Sequence, residues 1–244
     1  MTTVIFGASA GVGRALSRAL AAKGHRLFLL ARDGRDLEAQ ARHLRTVYGT
    51  EVAWLAVDAA QPADVVQALE TSLAGVSVRN LLFPVGMAND QDDGLLPAAA
   101  LSALINANLV SVMAVTSCLL PRLLEGGGGN IVGFGSVAAI RGRGGANVAY
   151  AAAKRGLESY FESIRHRLAG TDVRVQFYRL GYVASQLTFG KQLPFPVVDP
   201  EWVAERIVKR LDRDTPTRHL PAFWAIVGAL VKALPWRIYR RLRF

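Results

Sequence analysis

Three side chains in the second half of the chain have types and spacing suited to acid–base chemistry. Tyr150 and Lys154 stand four residues apart, and Ser136 precedes the tyrosine by fourteen residues. On a helix, positions i and i+4 lie on one face, so the phenol and the ammonium can reach a common site. A phenol has an ordinary pKa of about 10, and a nearby ammonium lowers that pKa because it favours the phenolate. The spacing therefore predicts a tyrosine that exchanges a proton with a substrate oxygen, although an ordinary amphipathic helix would carry the same pair.

A glycine-rich turn near the amino terminus is the second chemical feature. The strand-like Val4–Phe6 leads into this turn, and a helical pattern follows it. A strand, a glycine-rich turn and a helix in that order form a dinucleotide phosphate site, because glycine lets the backbone approach the pyrophosphate at the positive end of the helix. The spacing is GxxxGxG, and a tight turn without a ligand is the alternative interpretation. The residues expected at this site are Gly7, Ser9, Gly11, Val12, Gly13 and Arg14.

The elements that must position these groups alternate between strand and helix. Strand patterns fall at residues 2–6, 26–31, 51–57, 80–85 and 130–135, and helical patterns at 34–48 and 62–74. This alternation predicts an α/β fold with a Rossmann-type doubly wound parallel sheet of about seven strands. We found no internal linker, repeat or low-complexity stretch in the sequence.

Composition and charge narrow the class of protein. A chain of 244 residues that is 51% apolar predicts one globular domain and excludes disorder. The first strand begins at Thr2 and Cys118 is the single cysteine, so we expect a cytoplasmic protein without a signal peptide or an internal disulfide. Six of the excess positive charges fall between Thr215 and Phe244, and the rest of the chain carries +4. We therefore expect no nucleic-acid surface, and also no metal site.

The chain resembles the short-chain dehydrogenase/reductase family over roughly residues 2–190. Members of that family have an Asn thirteen residues before a helix-ending Pro, and Asn108 stands at that distance from Pro121. Asn106 is interpreted instead as a solvated helix residue. The other features that carry the resemblance are the turn with Gly7, Gly11 and Gly13, and the set of Ser136, Tyr150 and Lys154.

The resemblance implies a role for each catalytic residue. Tyr150 would give a proton to a carbonyl or accept one from an alcohol, and Ser136 would hold the substrate oxygen. Lys154 would bind the nicotinamide ribose hydroxyls and lower the pKa of Tyr150. Asn108 would fix a water that passes protons to Lys154. The hydride chemistry itself belongs to the cofactor.

The residues after the second strand bear on the choice of cofactor. A carboxylate at this place selects NAD, because it pairs with the adenosine ribose hydroxyls and repels a 2′-phosphate. Here Ala31 is followed by Arg32, and a guanidinium suits a phosphate, so the sequence predicts NADP(H). Asp33 could still take the place of the acid. Asp58, after the third strand, would contact the adenine or cap a helix. The remaining cofactor contacts implied by the resemblance are Gly86, Gly181, Val183 and Ser185.

The chain departs from the family in three places. Phe83–Gly86 replaces the usual Asn-Asn-Ala-Gly, and Leu180-Gly181 replaces Pro-Gly. Ser185 stands where the family has a Thr on the nicotinamide carboxamide. The usual glycine-rich strand near the carboxyl terminus, which helps to build tetramers, is absent. We therefore expect a homodimer rather than a tetramer.

A short apolar helix and a basic tail replace that strand. We divide the chain into residues 1–220, the dinucleotide-binding and catalytic domain, and 221–244, which either belongs to the same domain or faces a membrane. Thirteen residues between Pro221 and Pro235 give about 20 Å of helix, too short to span a bilayer. The helix could lie in an anionic lipid surface or pack on the body or a dimer partner. One predicted apolar face comprises Phe223, Ile226, Val227, Leu230, Val231 and Leu234, and the tail contributes Arg237, Arg240, Arg241 and Arg243.

This tail, together with Gly86–Gln91, is similar to the branch that contains decaprenylphosphoryl-2-keto-ribose reductase, which reduces a lipid-linked sugar ketone. The expected function is NADPH-dependent reduction of a ketone to a secondary alcohol, on a hydrophobic or lipid-linked substrate. Two alternatives stay open: a cytosolic reductase or dehydrogenase of a small soluble substrate, and a non-catalytic NADP-binding regulatory protein. The substrate itself depends on loops at residues 87–96, 141–147 and 182–198.

Overall fold

Seven parallel strands form one sheet at the centre of the computed structural model, which describes residues 1–142, 146–185, 188–190 and 192–242. Their order along the sheet is β3–β2–β1–β4–β5–β6–β7. The predicted Rossmann-type doubly wound sheet is therefore confirmed. The strands are β1 (Thr2–Phe6), β2 (Arg26–Ala31), β3 (Val52–Ala56), β4 (Val78–Phe83), β5 (Gly129–Ser136), β6 (Val173–Leu180) and β7 (Arg218–Leu220).

Helices cover both faces of the sheet. A single π-helical turn, Asn106–Val110, joins two of them, and a 3-10 turn, Val137–Ala139, follows β5. The α-helices are α1 (Gly11–Ala21), α2 (Gly34–Tyr48), α3 (Pro62–Ser72), α4 (Ala98–Ile105), α5 (Ser111–Glu125), α6 (Val148–Arg167), α7 (Pro200–Val208), α8 (Trp224–Ala233) and α9 (Trp236–Tyr239).

The core lies on the two sides of the sheet because side chains alternate along each strand. Ile5 of β1 packs with buried residues of α1, α2 and α7. Its neighbours Val4 and Phe6 pack on the other side, with α3, α5 and α6. The strand order reverses between β1 and β4, and a crevice at the carboxyl ends of the strands is expected at such a point.

Several strands and helices begin or end at residues other than those predicted from the sequence. β4 begins at Val78 and ends at Phe83, because Pro84 has no amide hydrogen to continue the ladder. β3 and α3 are each shorter than predicted, at Val52–Ala56 and Pro62–Ser72. The glycine-rich last strand is absent as a sequence pattern, yet β7 still fills the seventh position beside β6.

The helical run of residues 98–125 is long and apolar enough to cross a membrane by length and composition. Half of its apolar window is buried in the domain, and Val112, Leu119 and Leu123 are core residues. Pro121 lies inside α5 rather than at its end. We assign this run to the core.

The carboxyl-terminal helix α8 packs on the body through the side opposite the apolar face marked in the sequence. Trp224 and Gly228 are its buried residues, whereas Ile226 and Leu230 are exposed. The reason is steric. A Cβ at Gly228 would lie 2.9 Å from Ile140 Cδ1, so the glycine leaves room for the Ile140 side chain at this contact.

Candidate active site

Ser136, Tyr150 and Lys154 meet at the carboxyl end of β5. Ser136 is the last residue of β5, and the other two lie one turn apart on α6. Lys154 Nζ donates hydrogen bonds to the carbonyl oxygens of Phe134 at 3.2 Å and Val85 at 3.1 Å. The same nitrogen lies 5.9 Å from the centroid of the Tyr150 ring. The structure thus brings the predicted serine, phenol and ammonium to one place.

The acid–base properties of Tyr150 differ from the prediction. Burial raises the pKa of the Tyr150 phenol, and a hydrogen bond with Ser136 opposes that rise. The sequence predicted that Lys154 lowers this pKa, but the pKa is raised. Burial is its largest cause, and the Lys154 ammonium donates to two backbone carbonyls. A phenol in these surroundings stays protonated at neutral pH.

Lys154 carries its charge in a buried position. Its side chain is 3% exposed, and burial lowers the pKa of Lys154 to about 8. A lysine with a lowered pKa loses its ammonium as the pH rises through that value, well below its ordinary 10.5. The charge available to a bound ligand is therefore sensitive to mildly alkaline pH.

We expect NADPH affinity to weaken by roughly tenfold to thirtyfold as the pH rises from 7 to 9.5, on the order of one charge-assisted hydrogen bond. The reason is that Lys154, with a pKa of about 8, loses the ammonium that would hold the ribose hydroxyls. Fluorescence titration of NADPH at each pH measures the affinity. Lys154→Arg keeps its charge across the range, so its affinity should stay flat. The same pH dependence in both proteins would exclude Lys154 as the cause.

Asn108 lies in the π-helical turn and is fully buried. Its Nδ2 donates to the carbonyl oxygens of Met87 and Leu104, at 2.7 and 2.9 Å, and its Oδ1 accepts from Met87 N at 3.2 Å. A Cβ at Gly86 would lie 3.4 Å from Asn108 Oδ1 and 3.5 Å from Lys154 Nζ. Gly86 therefore keeps open the space through which the predicted proton relay between Asn108 and Lys154 would run.

The structure corrects the sequence interpretation of Asn106. It is half-buried rather than solvated, and its Nδ2 donates to the Ala60 carbonyl at 3.1 Å. Asn106 thus ties the π-helical turn to the loop after β3.

The glycine-rich turn forms a cradle that side chains would fill. Gly7 has φ +96, and a Cβ at Gly13 would lie 1.9 Å from the Gly7 carbonyl oxygen. The N-cap of α1 is Ala10, whose side chain accepts no hydrogen bond, and the first turn of α1 contains no acidic residue. The amide hydrogens there suit a pyrophosphate. Ser9 and Val12 are partly exposed beside this turn.

Two arginines flank the place where an adenosine ribose would lie. Arg14 Nε is buried and has no hydrogen-bond partner among the described residues, and Arg14 Nη2 lies 3.9 Å from Asp36 Oδ2. Arg32 is exposed and forms no ion pair within the part of the chain that the structure describes. Arg32 after β2 and the unpartnered Arg14 Nε in the first turn of α1 therefore remain for an anionic ligand.

The two nearby carboxylates are engaged with backbone amides. Asp33 Oδ1 accepts from Arg35 N at 2.9 Å and from Asp36 N at 3.4 Å, which caps α2 and lowers the pKa of Asp33. Asp58 is exposed and accepts from Ala60 N at 2.9 Å, while Gln61 is the N-cap of α3. Asp33 is thus occupied by its own helix, and Asp58 stabilises a turn rather than capping α3.

The loop after β6 lies against the glycine-rich turn. The Cβ of Ser185 is 3.4 Å from where a Cβ at Gly11 would be, which places Ser185 beside the predicted pyrophosphate site. Gly181 is covered by the indole of Trp224, since a Cβ there would lie 2.0 Å from Nε1. Val183 is buried and pairs with Val198. Gly181 and Val183 therefore shape the loop that carries Ser185.

Asp92 is a site residue without a signal in the sequence, where it looks like part of a polar loop. It is buried, its Oδ1 accepts from Ala149 N at 2.9 Å, and its Oδ2 accepts from Tyr150 N at 2.9 Å. The local N-cap of α6, Asn147, does not cap the helix with its side chain. The Asp92 carboxylate therefore caps the positive end of α6 and fixes the turn that carries Tyr150.

Asp92→Asn should lower kcat about tenfold and leave NADPH affinity nearly unchanged, because the amide can accept only one of the two backbone hydrogens and Tyr150 shifts. The pH profile of kcat should shift as well, which a change in stability alone would not produce. Asp93→Asn is the control, since Asp93 bonds Leu95 N at 2.9 Å, away from α6. A lower melting temperature with an unchanged kcat and pH profile would make Asp92 merely structural.

The family model described as short chain dehydrogenase matches residues 1–192. An uncharacterized oxidoreductase of Myxococcus xanthus is 31% identical over 99% of this chain and 97% of its own length. The human 3-oxoacyl-[acyl-carrier-protein] reductase is 30% identical over 75% of this chain and 76% of its own length. A short-chain dehydrogenase from Sphingobium yanoikuyae, solved in complex with NADPH, is 27% identical with a TM-score of 0.83, covering 96% of both chains.

Proposed function

Because this chain belongs to the short-chain dehydrogenase family of oxidoreductases, we propose that it uses NADPH to reduce a ketone to a secondary alcohol. The observation that carries this proposal is the half-buried Tyr150 beside Ser136, whose phenol has a raised pKa. A phenol that is protonated at neutral pH is the form that gives a proton to a carbonyl oxygen. The reaction is reversible in principle, because the deprotonated phenol can accept the proton of an alcohol.

Each residue has a part in the proposed reaction. The bound nicotinamide would supply the hydride. Ser136 would donate a hydrogen bond to the carbonyl oxygen as negative charge develops there. Tyr150 would transfer its phenolic proton to that oxygen. Lys154 would hold the ribose hydroxyls, and the open space beside Gly86 would let a proton return from the side of Asn108.

The proposed preference for NADPH rests on charge. Arg14 and Arg32 are available for a 2′-phosphate, no acid stands at Ala31, and Asp33 is engaged in capping α2. The glycine-rich cradle suits the pyrophosphate of either dinucleotide, so the arginines distinguish the two. The NADPH complex of the Sphingobium relative supports the proposal.

The proposed substrate is a hydrophobic or lipid-linked ketone. An aromatic cluster of Tyr182, Phe195, Phe223 and Trp224 lies beside the loop that carries Ser185, and Phe195 and Trp224 have ring centroids 4.7 Å apart. This cluster supports an apolar substrate, as does the resemblance to the decaprenylphosphoryl-2-keto-ribose reductase branch. We also propose a homodimer in the cytoplasm, which the exposed Val110 and Met113 and the single cysteine support.

A panel of ketones ranging from polar to lipid-linked tests this proposal. We expect NADPH consumption to be fastest with apolar ketones, and kcat/KM to fall at least about tenfold with NADH. Equal rates with NADH would refute the cofactor preference. Binding of NADPH without turnover of any ketone would favour a non-catalytic binding protein.

A further inference from the structure

The outward face of α8 carries no polar side chain. Its exposed residues are Ala225, Ile226, Ala229, Leu230 and Ala233, and Lys232 lies at the flank. Ile226 is 68% exposed and Leu230 64%. A surface helix of a globular protein normally turns charged and polar residues to water. The outward face of α8 is therefore suited to contact a partner.

The apolar surface continues beyond α8. Trp236 is 65% exposed and Ile238 51%, and Leu242 is exposed as well. We call Phe223, Ile226, Leu230, Trp236, Ile238 and Leu242 together the C-terminal apolar surface.

Basic residues surround this surface. They are exposed, and none forms an ion pair within the described part of the chain: Lys232, Arg237, Arg240 and Arg241. The sequence has no Asp or Glu from Thr215 onward. Arg243, which was predicted to belong to the same cluster, lies outside the described residues. Exposed apolar and cationic groups are thus combined in this segment without a compensating acid.

We propose that the C-terminal apolar surface binds an anionic lipid bilayer as a peripheral contact. Apolar side chains flanked by arginines suit an interface with anionic headgroups, which attract the cations while the acyl boundary receives Ile226 and Leu230. A second copy of this chain fits less well. A two-fold interface presents the same patch from both subunits, so it would bring the two cationic clusters together.

The segment is held firmly to the loop that follows the catalytic serine. Arg141 Nη1 donates to the carbonyl oxygens of Val231 at 2.8 Å and Leu234 at 2.6 Å, and the guanidinium stacks 3.9 Å from the Tyr239 ring centroid. Tyr239 Oη donates to the Gly142 carbonyl at 2.7 Å. A bilayer bound by α8 would therefore lie beside the loop at residues 140–142, a few residues from Ser136. The contact goes beyond the proposed reaction and does not depend on it.

Vesicle co-sedimentation of the full chain tests the contact. We expect binding to phosphatidylglycerol–phosphatidylcholine vesicles to exceed binding to phosphatidylcholine alone, and to weaken with salt. Ile226→Ser with Leu230→Ser should weaken binding at least about tenfold, and Arg237→Ser with Arg240→Ser and Arg241→Ser about a hundredfold.

Matched control variants test whether vesicle binding depends on where the substituted residues lie rather than on how many apolar or basic residues are removed. Val47→Ser with Leu124→Ser removes two exposed apolar residues elsewhere, and Lys23→Ser with Arg167→Ser and Arg213→Ser removes the same charge elsewhere. Both should bind vesicles within about threefold of the unaltered chain. Melting temperature and turnover of a soluble ketone check that each variant is folded. Equal binding to both vesicle types would overturn the proposal. So would an oligomer that dissociates on Ile226→Ser with Leu230→Ser without loss of vesicle binding.

Discussion

Tyr150→Phe is expected to lower kcat by about a thousandfold while NADPH affinity changes by less than about threefold. The ring remains to pack at the carboxyl end of β5, but the proton donor beside Ser136 is gone. NADPH consumption with a reactive ketone measures the first effect, and fluorescence titration of NADPH measures the second.

Tyr160→Phe is the matched control for this experiment. Tyr160 lies on the same helix, is half-buried and has a phenol whose pKa is also raised by burial. Its loss should leave kcat within about twofold, since it faces Thr116 and Ser117 rather than Ser136. If Tyr150→Phe retains more than about 5% of kcat, another group supplies the proton.

Arg32→Ala is expected to weaken NADPH binding by about 10- to 100-fold and NADH binding by less than about threefold. The physical reason is the loss of one charge-assisted hydrogen bond to a 2′-phosphate that NADH lacks. Arg32 is exposed and unpaired among the described residues, so no ion pair within the protein is broken by the change. Titration of NADPH and NADH against the unaltered protein and the Arg32→Ala variant gives the loss of affinity for each cofactor.

Arg35→Ala is the control for Arg32. Arg35 lies three residues further on, and its Nε is 3.8 Å from Asp33 Oδ1. Removing it takes away the same charge near the same turn, yet both cofactor affinities should stay within about threefold. Equal losses of NADPH and NADH on Arg32→Ala would show that Arg32 does not bind the 2′-phosphate.

The parts of the fold that follow from local pattern were predicted from sequence. Buried strands and the glycine-rich turn are specified by short runs of residues, such as Val4–Phe6 followed by Gly7. The family prediction is confirmed by the match over residues 1–192. The spacing of Tyr150 and Lys154 also places both on α6, because an i, i+4 relation is local.

Contacts between distant segments were not predictable in this way. Asp92 reaches Tyr150 N from 58 residues away, and Arg141 reaches Val231 from 90 residues away. The direction of the Tyr150 pKa depends on how much of the phenol is buried, which the spacing does not contain. The packed face of α8 depends on Gly228 and Gly181, which admit Ile140 and Trp224, so the periodicity of this helix alone could not show which face packs.

The most direct measurement of the proposed function is transfer of deuterium to a ketone from NADPH that carries deuterium at both C4 positions of the nicotinamide. We expect mass spectrometry to find one deuterium in the secondary alcohol formed by the unaltered enzyme, and almost none with Tyr150→Phe, although both bind NADPH. Binding of NADPH by the unaltered protein without a deuterated alcohol from any ketone in the panel would contradict the account.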